Sequence, residues 1–418
     1  MKTVFSKDLK DYKDQEVKLQ GWIYNFRSSG KIHFLQFRDG YGFVQAIAKK
    51  TQVPEDLKAE ASVEIIGTVS KHPKKPEYEV QVKELKILQN PKEDFPISKK
   101  EHGPDFLLDN RHLWLRSSKQ WAIQRVRDCV IRSIYDFFHK EDFIKIDSPI
   151  FTPNACEGTT TLFPVEYFDE GTAFLTQSGQ LYLEAAIMSH NKVFDFGPVF
   201  RAEKSKTRRH LTEFWMMDAE MAFHDHEANM KVQEDMMCYI VKQVLKDCKQ
   251  ELEVLERDTK PLEKVKAPFY HVTHEEASKK VGSDPMDDFG AEEELKFSNS
   301  FDKPVFVEKY PKKVKAFYMK EDPENKDRVL CSDLLAPEIG EIIGGSQRED
   351  DYDKLLGRVK EEKLPVKDFQ WYLDLRKYGS VPHSGFGLGL ERTVQWLCGI
   401  KHIRETIPFP RLINRLKP

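Results

Sequence analysis

The chain has 418 residues, 39% hydrophobic and 32% charged, with a formal net charge of −3; this length fits two or three domains with a large core. The near-balanced charge excludes a protein that holds nucleic acid by bulk electrostatics alone. No stretch approaches the roughly 18–20 apolar residues of a membrane span, the opening MKTVFSKDLKDYKDQ lacks a signal-peptide apolar run, and six scattered cysteines without CxxC spacing suit a reduced, cytoplasmic protein.

Residues 16–24, 33–38, 42–49, 62–70 and 78–89 read as short β-strands. Turn signals separate them, among them Ser28-Ser29-Gly30, Asp39-Gly40 and the run 72–76. Five short strands within residues 1–90 predict a closed barrel of the oligonucleotide/oligosaccharide-binding (OB) type. The first hundred residues hold 19 Lys and Arg against 14 Asp and Glu. A basic end on an acidic body fits a local patch for a nucleic-acid backbone.

Residues 91–116 are polar and Pro-containing and read as a linker. A helix is expected over 117–140, with Ile123, Val126, Val130, Ile134 and Phe137 at helical spacing and Trp121 and Ile131 widening the stripe. Beyond it, helices and strands mix without βαβ alternation. That predicts an α+β domain over 117–418, an antiparallel sheet flanked by helices. Residues 225–300 read as a helical, charged, insertion-like segment with a helix at 227–255, and sheet signals resume at 304–319.

Three runs in this body carry chemistry. FRAE at 200–203 and HLTEF at 210–214 read as strands around a loop, 204–209, with four cations. On a strand, Arg201 and Glu203 would share a face. An arginine fork clamps phosphate bidentately, a carboxylate beside it accepts an exocyclic amine, and Phe214 can stack on a base. Asp333 and Glu341 lead into Gly344-Gly345 and Arg348. Two acids beside a triphosphate would suit Mg²⁺, and paired glycines suggest a bulge or close ligand approach. Gly385, Gly387 and Gly389 alternate along a third strand, which again calls for a reason such as a nearby ligand. Arg392 stands where that strand meets a helix expected to begin near Thr393, close to N-terminal donors that favour phosphate. No G-x-x-x-x-G-K-[ST] loop is present, so the nucleotide site is not a P-loop. Cys156 and Ser178 lack a motif-placed base, and no protein nucleophile is expected.

The runs at 200–214 and 381–411 resemble motifs 2 and 3 of the class II aminoacyl-tRNA synthetases, in the aspartyl/asparaginyl/lysyl subgroup. KEDFIKIDSP at 140–149 resembles motif 1, with Asp142 where a glycine is usual. The resemblance spans the chain except residues 225–300. It implies that ATP is held by Arg201 on the α-phosphate, Glu203 on the adenine amino group and Phe214 on the ring. Arg209, His210 and Leu211 would lie near the distal phosphates, with Gly387, Gly389, Leu390 and Arg392 opposite. Asp333 and Glu341 would bind catalytic magnesium, and Arg201, Arg392 and Glu341 would be the catalytic residues. Residues 155–158 and 177–180 resemble the amino-acid loops: Glu157 would reach the α-amino group, Gln177 and Gln180 would line the α-amino/carboxylate cradle, Asp218 and Arg348 would meet the side chain, and Gly344 would also bind the amino acid. Gly21-Trp22, Arg27, Phe34, Arg38-Asp39 and Gln45 resemble the anticodon-binding domain, where Phe34 would stack an unpaired base while Arg27 and Gln45 read base edges. Motif 1 implies a homodimer.

GEIIGGSQRE at 340–349 resembles the asparaginyl enzymes closely. Leu183 stands where aspartyl enzymes carry a lysine that neutralises the substrate carboxylate. Arg348 would donate to an amide oxygen and Asp218 accept from its NH₂, one methylene shorter than the Glu-Pro usual at 218–219. The resemblance therefore implies ATP-dependent attachment of asparagine to tRNA(Asn) through an asparaginyl-adenylate. The alternatives are an aspartyl enzyme, a tRNA-independent ligase of asparagine-synthetase type, and a binding module without catalysis; the intact barrel and filled phosphate positions count against the last two.

Overall fold

Period-two alternation closes the N-terminal residues into a barrel. In the computed structural model, which describes residues 2–74, 77–98, 100–158, 161–205 and 207–418, the strands are β1 (Glu16–Ser29), β2 (Ile32–Arg38), β3 (Phe43–Lys49), β4 (Ser62–Lys71) and β5 (Tyr78–Gln89). Lys75 and Pro76 of the expected turn, Lys99 of the expected linker and Lys206 of the expected basic loop lie outside the described residues. The strand order is β1-β2-β3-β5-β4, closed by β1 against β4, the OB arrangement expected. Val17, Leu19, Ile23, Leu35, Phe37 and Val44 point inward with their alternates outward, as a half-buried strand requires. One turn falls later than expected: Ser28 and Ser29 stay in β1, and Gly30, at φ +59, reverses the chain with Lys31. Only a residue free to take positive φ serves there cheaply.

The chain divides into two units, Met1–Leu108 and Asp109–Pro418. The stretch read as linker contains two short helices, α1 (Pro104–Asp109) and α2 (Arg111–Trp114). Arg111 pins α2 by donating to the Pro408 and Ile407 carbonyls at 2.7 and 2.8 Å. The expected amphipathic helix is α3 (Ser118–Lys140), capped by Ser117 and buried along the predicted stripe. After it come β6 (Ile144–Lys145), β7 (Phe151–Thr152), β8 (Pro164–Glu166), β9 (Thr172–Leu175), α4 (Gln180–His190), β10 (Lys192–Phe200) and β11 (Glu213–Ala222). The middle segment holds α5 (His226–Asp247), α6 (Lys249–Val254), α7 (Lys260–Glu263), β12 (Tyr270–Thr273), α8 (His274–Val281) and α9 (Ala291–Ser298). The remainder is β13 (Val305–Glu308), β14 (Glu321–Asp322), β15 (Asn325–Val329), β16 (Cys331–Ala336), β17 (Gly340–Gln347), α10 (Tyr352–Glu361), α11 (Gln370–Lys377), β18 (His383–Gly389) and α12 (Leu390–Cys398).

Eight of these strands form one sheet, β12-β13-β16-β17-β18-β11-β10-β6. Its centre is antiparallel, as expected, and its two edges are parallel: β12 on β13 and β6 on β10. Helices α3, α5 and α12 cover one face, and their apolar sides merge with Phe194, Met217, Leu334 and Phe386 into the main core. The segment 225–300 supplies a core helix and an edge strand. Its high charge is the solvent side of amphipathic helices. Asp142, at φ +62, takes the left-handed turn between α3 and β6 where the family has glycine; aspartate is among the residues that tolerate it. Among the described residues no helix is long and apolar enough to cross a membrane.

Packing at the sheet centre is tight. A Cβ on Gly385 would lie 2.0 Å from Glu220 Oε1 and 2.4 Å from the Ala219 carbonyl oxygen, whereas one on Gly389 would meet nothing within 4 Å. Gly385→Ala should lower unfolding free energy by about 2–3 kcal/mol in urea titrations, and Gly389→Ala by no more than about 0.5 kcal/mol.

Candidate active site

The strand register lays the floor of the site. Asp195 on β10 lies opposite Asp218 on β11, Asp218 opposite Gly387 on β18, Gly387 opposite Gly344 on β17, and Gly344 opposite Asp333 on β16. Opposed residues share a face, so two glycines form a trough with an acid at each end. A cleft of about 570 Å³ opens over it. Around the cleft stand Arg201, Glu203, Arg209, His210, Leu211 and Phe214 from the motif 2 run. Glu341, Gly344 and Arg348 join from β17 and its end, and Gly387, Gly389 and Arg392 from β18 and α12. Glu157, Gln180, Asp218 and Asp333 complete the set.

Local geometry departs from expectation in three places. Residues 201–203 lie past the end of β10 rather than on a strand, although the Arg201 amide still donates to Thr212 O at 3.0 Å and so continues the ladder by one bond. The last helix starts at Leu390, not near Thr393, which puts Arg392 in its first turn and Leu390 wholly in the core; only the Leu390 backbone is left to face a ligand. Gln177 is the third. Its side-chain oxygen accepts the Cys156 and Glu157 amides at 3.0 Å each, and its nitrogen donates to Gly158 O and Thr161 Oγ1. Its side chain thus braces Cys156, Glu157, Gly158 and Thr161 and is not among the residues that line the cleft.

Each cation is matched to a carboxylate. Arg392 Nη1 donates to Glu341 Oε2 at 2.8 Å, Lys315 Nζ to Asp333 Oδ2 at 2.8 Å, and Arg209 Nη2 to Glu294 Oε2 at 2.6 Å. Arg201 sits 3.8 Å from Glu157, whose other oxygen accepts the Tyr318 hydroxyl at 3.0 Å. Arg348, 3% exposed, grips Glu220 through Nε and Nη2 and donates from Nη1 to Ser346 Oγ at 2.7 Å. Burial raises Asp333, and the nearby Glu341 adds to this against Lys315. Burial also acts on Glu341, but Arg392 and Lys315 outweigh it and hold it below its usual range. Burial and then Arg392 lower His210, which leaves it neutral at neutral pH.

Asp218 Oδ2 accepts from the Gly179 amide at 2.9 Å and from Ser178 Oγ at 3.0 Å, at the N-terminus of α4, where helix dipole and donors favour an anion. Its Oδ1 is turned toward Gly387 in the trough. Burial raises both Asp195 and Asp218; the Asp218 charge adds to the rise at Asp195, while the Gly179 and Ser178 donors oppose it at Asp218. Gln180 donates to Glu184 at 3.0 Å, and Glu184 is itself held by Arg376, His383 and the Tyr372 hydroxyl in a fully buried cluster. The alternating glycines have mostly internal causes. Gly385 is crowded by Glu220, and a Cβ on Gly387 would lie 2.6 Å from Asp218 Oδ1. Of the three, Gly389 alone opens onto space.

Lys315, Glu294, Glu220 and Tyr318 carry no mark in the sequence. Lys315 belongs to the basic run Lys312-Lys313-Val314-Lys315, which reads as surface charge; only the fold turns it toward Asp333. On the barrel, Arg27, Phe34 and Gln45 share the outer face. The Arg27 guanidinium lies 5.1 Å over the Phe34 ring, and Gln45 donates to Glu79 at 3.1 Å.

The family model described as tRNA synthetases class II (D, K and N) matches residues 103–413, and that of an OB-fold nucleic acid binding domain matches residues 17–88. The asparaginyl-tRNA synthetase of Pyrococcus horikoshii, solved with asparaginyl-adenylate, is 45% identical over 99% of each chain, with a TM-score of 0.94. That of Entamoeba histolytica, also solved with asparaginyl-adenylate, is 31% identical over 100% of both chains, with a TM-score of 0.91. The aspartyl tRNA synthetase of Entamoeba histolytica is 25% identical, covering 100% of this chain and 93% of its own, with a TM-score of 0.83. With its cleft inside the matched residues, this chain belongs to the class II tRNA synthetases of the D, K and N group.

Proposed function

We propose that this protein charges tRNA(Asn) with asparagine in two steps. The asparagine carboxylate attacks the α-phosphate of ATP, the α–β bridging P–O bond breaks and pyrophosphate leaves. A terminal ribose hydroxyl of the tRNA then attacks the adenylate carbonyl, losing its proton as AMP leaves. Such chemistry needs positioning and charge neutralisation rather than a protein nucleophile. Arg201 holds the α-phosphate, Glu203 and Phe214 the adenine, and Arg209, His210 and Arg392 the distal phosphates. Gly387, Gly389 and the Leu390 backbone bound the nucleotide on the far side. Glu157 and Gln180 take the α-amino group.

Asp333 and Glu341 fit Mg²⁺. One oxygen of each is held by Lys315 or Arg392, and the other two, Asp333 Oδ1 and Glu341 Oε1, lie 3.5 and 3.3 Å from where a Cβ on Gly344 would sit. Among the described residues no cluster of three or more His, Cys, Asp and Glu could cage a metal. Two carboxylates leave the rest of the shell to phosphate and water, as Mg²⁺ prefers. When bound, the ion would neutralise charge on the phosphates.

The observation that carries the choice of amino acid is the charge state around Arg348. Its guanidinium is already matched by Glu220, Leu183 is buried in an apolar cluster where aspartyl enzymes have lysine, and Asp218 Oδ1 faces the trough. The pocket therefore offers hydrogen-bond donors and one anionic acceptor but no spare cation. An amide satisfies that set, while a carboxylate would be desolvated without a partner and repelled by Asp218. Two relatives solved with asparaginyl-adenylate support the reading. The outer barrel face reads the anticodon through Phe34, Arg27 and Gln45. Ile144, Ile150 and Phe151, 45%, 41% and 50% exposed beside motif 1, support a homodimer through that edge. Free thiols at all six cysteines suit the cytoplasm.

Arg201→Ala and Arg392→Ala should each abolish asparagine-dependent ATP–pyrophosphate exchange while tRNA still binds; near-normal exchange in either variant would remove the phosphate assignment. Phe34→Ala should raise KM for tRNA and leave exchange without tRNA unchanged. A loss that shows up in exchange instead would refute the role of the barrel face. Asparagine should be preferred to aspartate in exchange by at least about 10²-fold, the scale that unpaired buried polar groups impose. Equal or better use of aspartate would replace asparagine with aspartate as the substrate.

A further inference from the structure

Arg209 differs in its partner from Arg201 and Arg392, the two other arginines assigned to the phosphates. Arg201 and Arg392 face carboxylates that themselves line the cleft, Glu157 and Glu341. Glu294, which holds Arg209, comes from α9 in the middle segment and has no part in the two-step reaction above. Glu294 Oε2 accepts from Arg209 Nη2 at 2.6 Å and, on the same oxygen, from the Glu341 amide at 3.0 Å. Arg209 Nη1 also reaches the Ala291 carbonyl, in the first turn of α9, at 3.4 Å. One oxygen thus ties together the basic loop of the motif 2 run, the start of β17 and α9.

The junction is closely built. Gly340 enters β17 at φ +81, and a Cβ on it would lie 2.7 Å from Glu294 Oε2 and 3.1 Å from both terminal nitrogens of Arg209. The Arg209 and Glu294 side chains are only 13% and 14% exposed, so water screens the pair little. A carboxylate here repels a triphosphate at long range, and its compensating effect is order. A free arginine side chain loses much rotamer freedom when it clamps phosphate, and that cost falls when a neighbour has already fixed it. The Glu341 amide gains the same fixity, and with it the carboxylate that pairs with Arg392.

Resting on the ATP-dependent reading above, we propose that Glu294 is a positioning residue for ATP, presenting Arg209 and Glu341 to the phosphates already ordered through one carboxylate oxygen. It touches no substrate and acts through Arg209 and the Glu341 amide.

The test pairs equilibrium dialysis of Mg-ATP, without amino acid, with steady-state pyrophosphate exchange on the full-length wild type, Glu294→Ala, Glu294→Gln, Arg209→Ala and the Arg209→Ala/Glu294→Ala double variant. Glu294→Ala should raise the Kd and KM for ATP about tenfold, the scale of one charge-assisted hydrogen bond, with kcat and the KM for asparagine near wild type. Glu294→Gln should recover part of the loss, because its amide oxygen still accepts the Glu341 N–H. The double variant should lose less ATP affinity than the sum of the two single losses, since the Arg209 share is counted only once and coupled residues are non-additive. Unchanged or tighter ATP binding in Glu294→Ala, or additive losses in the double variant, would overturn the proposal. If Glu294→Ala does not fold, the isosteric Glu294→Gln carries the same test against wild type, and a Kd for ATP equal to wild type overturns it. Failure of asparagine to support exchange would sink the asparagine reading and leave the dialysis arm to decide Glu294.

Discussion

The whole site hangs on one register. Hydrogen-bond pairing across β10, β11, β18, β17 and β16 sets Asp195, Asp218, Gly387, Gly344 and Asp333 in a single row. A slip of one residue on any strand would turn its member of the row to the opposite face. The register therefore decides at once where the trough lies, how wide it is and which acids stand at its ends. Tight packing guards it: a Cβ on Gly345 would lie 2.8 Å from Phe386 Cβ and 3.0 Å from the Gly385 carbonyl oxygen, and Gly385 is closed in by Glu220. No other residue type fits those points without moving backbone.

On that floor, charge is organised by pairing. Arg392 with Glu341, Lys315 with Asp333, Arg209 with Glu294 and Arg348 with Glu220 form a ring of salt bridges, several of them mostly buried. A buried cation without its carboxylate would be costly, and breaking such a pair typically costs about 3–5 kcal/mol. The pairing holds long side chains in place, so an incoming anion meets guanidinium groups whose geometry is already set. It also leaves the Arg348 end without surplus positive charge, which would suit the amide of the proposed substrate better than a carboxylate. Behind that end, Glu184 with Arg376, His383 and Tyr372 fixes Gln180 by the same logic.

The barrel solves a simpler problem. Its interior needs only apolar alternates of the right size, which frees every second outward residue for recognition. Arg27 and Phe34 are directly opposed across β1 and β2, and Gln45 opposes Gln36 on the next row, so a partly aromatic outer face follows from the hairpin register alone.

Much of this was legible in the sequence. Period-two strands marked the barrel, 3.6-residue spacing the α3 helix, and motif spacing the residues of the cleft, because local periodicity and short-range turn chemistry are written in neighbouring residues. The segment 225–300 was legible only as far as its expected helix at 227–255, which the structure divides at Cys248 into α5 and α6; its place in the fold was not. Its helices look like solvated surface until β12 adds to the sheet edge and Glu294 reaches Arg209, 85 positions away. The glycines of β18 were visible as an anomaly, but their cause was not: Glu220 and Asp218 crowd them from a strand more than 160 residues earlier. Gln177 and Leu390 showed the same limit, since a motif marks a position without saying whether the side chain faces the ligand or the core. The sequence alone determined which elements form and which residue types gather around the cleft. Only the tertiary structure decided the partner of each charge, because pairing energies depend on distance and burial between residues that the chain brings together from far apart.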